Sequence, residues 1–474
     1  MDLIYGYAQL TIINASGAEA NSGFSRRSDD KPVQVIETLK PGLEVMLATP
    51  FEDSLEHTIY ASRAWTFQER LLASRCVVLL DGRTYFHCRR GFFTEDINID
   101  AKGRQHSQME MYRLPIDVLN ELAGYRSFAR AVQEYSKRNL TDENDALNGF
   151  AGTQNVLSSK VYSSFFQGLP AAQFDLALLW QPEGRLRRRK GFPSWSWAGW
   201  EGYVSFQPLL NEMWYKKLHR WLHFHTFIVW YRFCTKTNQW KPVWNEEDHR
   251  AACKYYKAPY LYAGYVKATE GVSDPYGRSS EPLSWLPKGR TTLPSPLDGE
   301  IGVSSTALLA FWTYCTSFRV EIGPDNPDSK DDSQNQADRP PGKDFSSNGN
   351  AKPPAGLRYF DLHDCNGNVC GYLDVDCSQT VQTGAVLDVL VLCEAELSKK
   401  EDDVEDPWRV GYAAELVEKW SAVVVMAVMW QDGVAERVAL GKLMRAALEK
   451  GVSGGDGEGG WRRAEKVWRE VLLR

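Results

Sequence analysis

From Cys76 to Cys88 the chain reads Cys-Val-Val-Leu-Leu-Asp-Gly-Arg-Thr-Tyr-Phe-His-Cys, two apolar runs around Asp81-Gly82. An Asp-Gly pair tolerates the positive φ of a type I′ turn, whose twist suits two antiparallel strands. The segment is predicted as a β-hairpin. Alternation along its second strand puts His87 and Cys88 on opposite faces, so they do not form a Cys–His dyad. The residues just before it, Ile59 to Ala73, have helical spacing. Ala61, Trp65, Gln68 and Leu72 share one face and Phe67 and Leu71 form a second apolar line, which predicts a helix buried on two sides.

The first residues, to Leu10, read as the last turns of a helix, and Thr11 to Asn14 as a short buried strand. Asn14 to Gly23 is rich in turn formers. Val33 to Ile36 and Glu44 to Leu47 are short strand candidates. Asp117 to Tyr135 has an amphipathic stripe of Val118, Leu122, Tyr125, Ala129 and Val132. Thr141 is placed to cap a further helix reaching about Leu157, with Asp142 and Glu143 in its first turn. Phe165 to Trp180 is apolar and helical near its end, and Trp221 to Phe233 reads as a buried strand. Arg185 to Lys190 reads as a solvated basic loop tip rather than a nucleic-acid contact.

Beyond Pro193 short apolar runs alternate with turn residues. Strands are predicted over 263–269, 306–322, 356–362, 368–375, 385–394 and 422–431. Gly323 to Gly356 has almost nothing apolar except Phe345 and is predicted disordered. Ser398 to Asp406 reads as a charged surface loop. Trp461 to Arg474 suits either an amphipathic helix or a paired strand.

The net charge of −6 over 474 residues gives no general attraction to nucleic acid or anionic membrane. No apolar run reaches the roughly 20 residues of a membrane span. Nine cysteines and no leader-like start point to reduced thiols and a cytoplasmic setting. Cys365, Cys370 and Cys377, with His363 nearby, match no zinc spacing and read as strand residues; no metal is expected. There is no phosphate-binding glycine loop, dinucleotide fingerprint or nucleophile elbow.

Five blocks carry a resemblance. Met1 to Tyr5 runs into Thr11-Ile12 and Ala15-Ser16-Gly17. Arg63-Ala64-Trp65-Thr66-Phe67-Gln68-Glu69-Arg70 leads to Arg75. Tyr135-Ser136-Lys137-Arg138-Asn139-Leu140-Thr141 is followed by Asp145, Leu147 and Gly152. Pro193-Ser194-Trp195-Ser196-Trp197-Ala198-Gly199-Trp200 comes next, and Trp430 to Val438 last. In this order they resemble the fungal heterokaryon-incompatibility (HET) domain proteins, which act in self/non-self recognition and programmed cell death. The resemblance implies an α/β or α+β chain: a partial TIR-like, flavodoxin-like sheet followed by a β-rich C-terminal region. It implies protein partners and a cytoplasmic location. The family's upstream tyrosine–tryptophan–glycine and aspartate–cysteine strands have no counterpart, so the chain is expected to begin inside the domain as a truncated copy. The divisions expected are 1–157 for the end of the HET domain, 158–322 for a helical segment and a β-rich region with the tryptophan box, 323–356 for a linker, and 357–474 for the rest of the β-rich region.

Two alternatives follow. Some TIR domains cleave NAD, so a TIR-like NAD-cleaving enzyme is one, with NAD as substrate and no other cofactor; an inactive truncated paralogue is the other. Glu69 is the candidate catalytic carboxylate, since a carboxyl beside Trp65 is partly desolvated. Its competing reading is an ion pair with Arg63, Arg70 or Arg75. Gln68 reads as satisfying buried backbone groups. Asp145 and Arg138 read as a pair or a cap. Trp195 and Trp197 read as core residues on one side of a strand. Together with Tyr135, these are the family-motif positions.

Overall fold

The computed structural model describes residues 2–17, 21–23, 36–46, 51–88, 91–94, 125–206, 221–222, 225–244, 294–295, 307–323, 357–376, 381–395, 422–449 and 466–474. It combines helices and strands in two compact units, Met1–Val161 and Tyr162–Arg474.

Unit 1 opens with α1 (Asp2–Tyr7) and β1 (Thr11–Asn14), then a hairpin of β2 (Ile36–Lys40) and β3 (Leu43–Met46). The helices α2 (Phe51–Glu56), α3 (Ile59–Ser62) and α4 (Ala64–Leu72) follow. The predicted hairpin is present as β4 (Arg75–Leu80) and β5 (Arg83–Cys88), and Asp81 and Gly82 have φ of 51° and 73°. With β6 (Gly91–Thr94) these strands form a sheet in the order β1-β4-β5-β6, in which β1 runs parallel to β4 and the other pairs are antiparallel. Ile13, Cys76, Val78, Leu80 and Tyr85 face one side and pack with Phe51 and Leu55 of α2. Their neighbours along each strand necessarily face the other side.

The helix predicted over Ile59 to Ala73 is broken. Arg63 is extended, at φ −87° and ψ 134°, between α3 and α4. Its neighbours pair with another segment: Ala64 N–H donates to Asn139 O at 2.9 Å, and Asn139 N–H to Ser62 O at 2.7 Å. A tertiary bridge here replaces the helical bonds. Trp65 is only partly buried, whereas Phe67, Gln68, Arg70 and Leu71 are buried.

The next helix, α5, spans Tyr125–Ser136 and buries Tyr125, Phe128, Val132 and Tyr135; the first part of the predicted stripe lies outside the described residues. Thr141 is not the cap. Asp142 accepts from Asn144 N–H and begins a 3-10 turn over Glu143–Asp145, a second turn covers Asn148–Phe150, and α6 starts only at Ala151 and ends at Val161. Short polar side chains that bond their own backbone favour such turns over a helix.

Unit 2 begins with a chain of short elements: β7 (Phe165–Phe166), β8 (Leu169–Pro170), α7 (Phe174–Ala177), β9 (Gln181–Pro182), β10 (Arg187–Arg188), β11 (Trp200–Glu201) and β12 (Val204–Ser205). Trp221 and Leu222 are helical, so the strand predicted from Trp221 begins only at β13 (Tyr231–Cys234), which pairs with β14 (Gln239–Pro242).

Seven long strands follow: β15 (Leu309–Ile322), β16 (Leu357–His363), β17 (Val369–Asp376), β18 (Val386–Ala395), β19 (Ala422–Gln431), β20 (Val434–Met444) and, after α8 (Arg445–Glu449), β21 (Val467–Leu473). Neighbouring pairs run β15-β16-β17-β20-β19-β18, and β18 pairs with β15 again, so six strands close on themselves. Closure removes the edges of these six strands, while β13 and β14 extend the same sheet outward from β15, and β21 pairs with β15 and β20. Gly441 on β20 makes the approach to β17 possible: a Cβ there would stand 1.7 Å from Tyr372 O. The predicted strands over 306–322, 356–362, 368–375, 385–394 and 422–431 are present, the C-terminal stretch takes the strand alternative, and β20 was not anticipated. The segment 263–269, the linker 324–356 and the loop 398–406 lie outside the described residues. No described helix is long and apolar enough to cross a membrane.

Candidate functional site

In unit 1 the motif residues meet around α4. Gln68 is fully buried, and its Oε1 accepts from Gly152 N–H at 3.1 Å. A Cβ at Gly152 would stand 2.6 Å from that oxygen, so the third block's glycine is the place where the second block's glutamine fits. Tyr135 donates to Ala146 O at 2.9 Å and packs its ring 5.7 Å from Phe67. Arg138 lies over Phe67 at 5.1 Å and donates to Arg63 O, Glu134 O and Thr66 Oγ1. Its expected pairing with Asp145 does not form: Asp145 accepts from the Asn148 amide at 3.1 Å instead. Burial lowers the Arg138 guanidinium to about 10. The carbonyls are the groups a buried guanidinium fork can reach here.

Glu69 is partly exposed. None of the arginines proposed for it pairs with it among the described residues. Arg70 grips Glu52 with both terminal nitrogens, at 3.1 and 2.5 Å, and lies over Phe51. Glu69 is hydrogen-bonded to Tyr5 of α1, whose hydroxyl is raised by burial first and then by the Glu69 charge and that bond. Tyr60 is raised by burial first and then by Glu69. The carboxylate therefore bonds one phenol and acts on a second through its charge, while the Tyr60 hydroxyl itself donates to Thr66 O. Nothing in the spacing of the sequence pointed to Tyr5, Tyr60 or Glu52, because all three arrive from other elements. His87 is pushed down to about 3, by burial first and then by the Arg70 charge, and Cys76 up to about 11 by burial. Neither is poised as a base or nucleophile near neutral pH.

In unit 2 the tryptophan box is buried throughout, but Trp195 and Trp197 do not lie on a strand, and only Trp200, which opens β11, does. Trp195 lies in a turn and Trp197 in a 3-10 turn over Trp197–Gly199 that Ser196 caps. Each indole N–H finds a backbone carbonyl: Trp195 to Ala307 at 3.3 Å, Trp197 to Gly168 at 3.0 Å and Trp200 to Ser194 at 2.8 Å. The last block meets this box. Arg437 of β20 donates through its backbone to Ser194 Oγ at 2.9 Å, lies 3.6 Å over the Trp180 ring, and donates to the Leu178 and Trp180 carbonyls. The aromatic faces are spent on packing, so no stacking platform is left for a ligand. The basic stretch 185–190 is a solvated tip only in part: Arg185, Arg187 and Lys190 are exposed. Arg189 is buried against the Ala198 and Trp200 carbonyls, Arg188 donates to Gly199 O, and Arg187 pairs with Glu201.

Among the described residues no group of three or more His, Cys, Asp or Glu side chains could hold a metal, and Cys370 is buried on β17. One surface in unit 1 differs from the rest. Ile12, Val77, Phe86 and Phe93 are cross-strand partners in one row over all four strands, on the face opposite the core. Ile12 is 58% exposed and Phe93 43%. On α1, Leu3, Ile4 and Tyr7 are also exposed. Comparisons of the chain with protein-family models, with curated proteins and with solved structures found no match.

Proposed function

We propose that the chain works through protein contact, as a self/non-self recognition protein of the heterokaryon-incompatibility type that leads to programmed cell death. The observation that carries the contact reading is the apolar row Ile12–Val77–Phe86–Phe93 across the outer face of the unit 1 sheet. The outer face of a mostly antiparallel sheet normally carries polar side chains, so an apolar row whose ends, Ile12 and Phe93, are exposed marks an interaction surface. The motif positions support the same reading from the other side: Gln68, Tyr135, Arg138, Trp195 and Trp197 hold the fold together and leave the surface to select the partner. The test is expression in a fungal host of the full chain and of a double variant, Ile12→Lys with Phe93→Lys. The wild-type chain is expected to arrest growth, and the variant to lose that effect while keeping its melting temperature. Equal growth arrest by a folded variant rejects this surface.

A second reading, NAD cleavage, rests on Glu69, whose carboxylate is bonded to Tyr5 and has no arginine partner among the described residues. Purified chain incubated with NAD is expected to release no nicotinamide. Release that Glu69→Gln abolishes without unfolding the protein would establish the enzyme reading in place of the first.

A further inference from the structure

Gln181 opens β9, which pairs with β12 in a short ribbon. Asp374 lies in β17 of the closed sheet, directly across from Tyr359 on β16 and Leu440 on β20. The Gln181 Nε2 amide donates to Asp374 Oδ2. The other two polar atoms of the pair, Gln181 Oε1 and Asp374 Oδ1, are buried and have no hydrogen-bond partner among the described residues. Gln181 is 1% exposed and Asp374 7%. As an ionised pair this leaves two acceptors bare in the interior, one of them carrying charge, which is costly. One proton removes both defects. Placed on Oδ1, it makes that oxygen a donor to Gln181 Oε1, while the amide N–H still donates to Oδ2.

We propose that Asp374 and Gln181 form a proton-closed latch, a neutral acid–amide pair held by two hydrogen bonds, which fastens the β9–β12 ribbon to the closed sheet and loosens when the proton leaves. A second tether fixes the same ribbon region in place: Asp376 accepts from Leu186 N–H at 2.9 Å.

The charged neighbours divide. Glu183, two residues beyond Gln181, favours the proton, and Lys442 on β20 opposes it. Tyr359 on β16 faces the same carboxyl as a neutral phenol, raised to about 12 by burial first and then by Asp374 and Glu183. Ser205 of β12 donates to Glu183 and holds that carboxylate beside the latch. The balance leaves Asp374 raised to about 7, with burial the largest cause. A carboxyl raised in the fold contributes stability that is complete at low pH and is lost as pH rises through the folded value. Between about pH 6 and about pH 8 the folding equilibrium constant of unit 2 should fall about tenfold on this account.

Infrared difference spectra of the full chain across this range provide the direct test. A carboxylic-acid carbonyl band is expected at the acid end, vanishing with a midpoint near 7. The band should be absent in Asp374→Asn, whose amide keeps both hydrogen bonds without a titrating proton. That variant should also flatten the pH dependence of melting. Should Asp374→Asn fail to fold, Gln181→Met leaves the acid without its partner and should shift the carbonyl band. A wild-type protein with no titrating acid band overturns the latch. So does a folded Asp374→Asn that retains the band or the tenfold slope, or a Gln181→Met that leaves the band in place.

Discussion

The Arg437 side chain holds the segment just before the tryptophan box, while its backbone N–H donates to Ser194 of the box itself. Its guanidinium fully loses water, and burial lowers its proton affinity. What offsets that cost is local: a ring face at 3.6 Å and two carbonyls that have just left the end of α7. Replacing Arg437 by Met keeps much of the volume and removes the buried charge, but strands the Leu178 and Trp180 carbonyls. Each bare buried acceptor costs about 1–3 kcal/mol, so Arg437→Met is expected to destabilise unit 2 by about 2 kcal/mol, read as a lower denaturant midpoint with an unchanged slope. Arg437→Lys should fare no better, because an ammonium cannot reach both carbonyls as a fork does. An unchanged midpoint in either variant would show that the carbonyls find other donors. At this scale the sequence identified the participants but not their partners. The burial of Gln68, Trp195 and Trp197 follows from composition and spacing. That Gln68 would meet Gly152, Arg70 would meet Glu52, or Glu69 would meet Tyr5 depends on distances across the fold that no local pattern encodes.

At the scale of elements, legibility tracks how local the determining interaction is. The β4–β5 hairpin was readable because Asp81-Gly82 sets both its turn and its register. Asp432-Gly433, with φ of 52° and 79°, performs the same task between β19 and β20. That pair is the available signal for β20, of which only Val434 to Val438 falls within the last motif block. The break at Arg63 had no comparable signal, since Ser62-Arg63-Ala64 is compatible with a helix and the bridge to Asn139 lies 76 positions away. The tryptophan box misled in a different way. Alternating tryptophans suggested a strand, yet Ser196 caps a 3-10 turn there, and the indoles of Trp195 and Trp197 donate to carbonyls of distant segments, Ala307 and Gly168. Closure of the six-stranded sheet was the least legible feature of all. It rests on β15 being long enough to pair with β18, β16 and β21 at successive positions, a long-range register that strand prediction does not reach.

For the molecule as a whole, the two units carry buried titratable groups of opposite sense. In unit 1 His87 is 3% exposed, lies edge-on to Phe92, and is pushed down to about 3 by burial and then by Arg70. An unfolded histidine takes up its proton near 6.5. The contribution of neutral His87 to stability is therefore complete above that value and is lost as pH falls toward 3. In unit 2 Asp374 is raised to about 7, so its contribution is complete at acid pH and is lost as pH rises from about 4 through 7. Raising the pH from about 5 to about 7 should therefore strengthen unit 1 and weaken unit 2, by up to about 1.4 kcal/mol per pH unit for each group. The two responses can be read separately. Of the 17 tryptophans only Trp65 lies in unit 1, so tryptophan fluorescence follows unit 2 while calorimetry follows both. The fluorescence-detected transition should move to lower temperature over this range as a second calorimetric transition moves up. His87→Phe should remove the upward movement and leave the fluorescence transition unaltered; Asp374→Asn should do the converse. Two transitions that shift together with pH, in the wild type and in both variants, would show that neither buried group governs the stability of its unit.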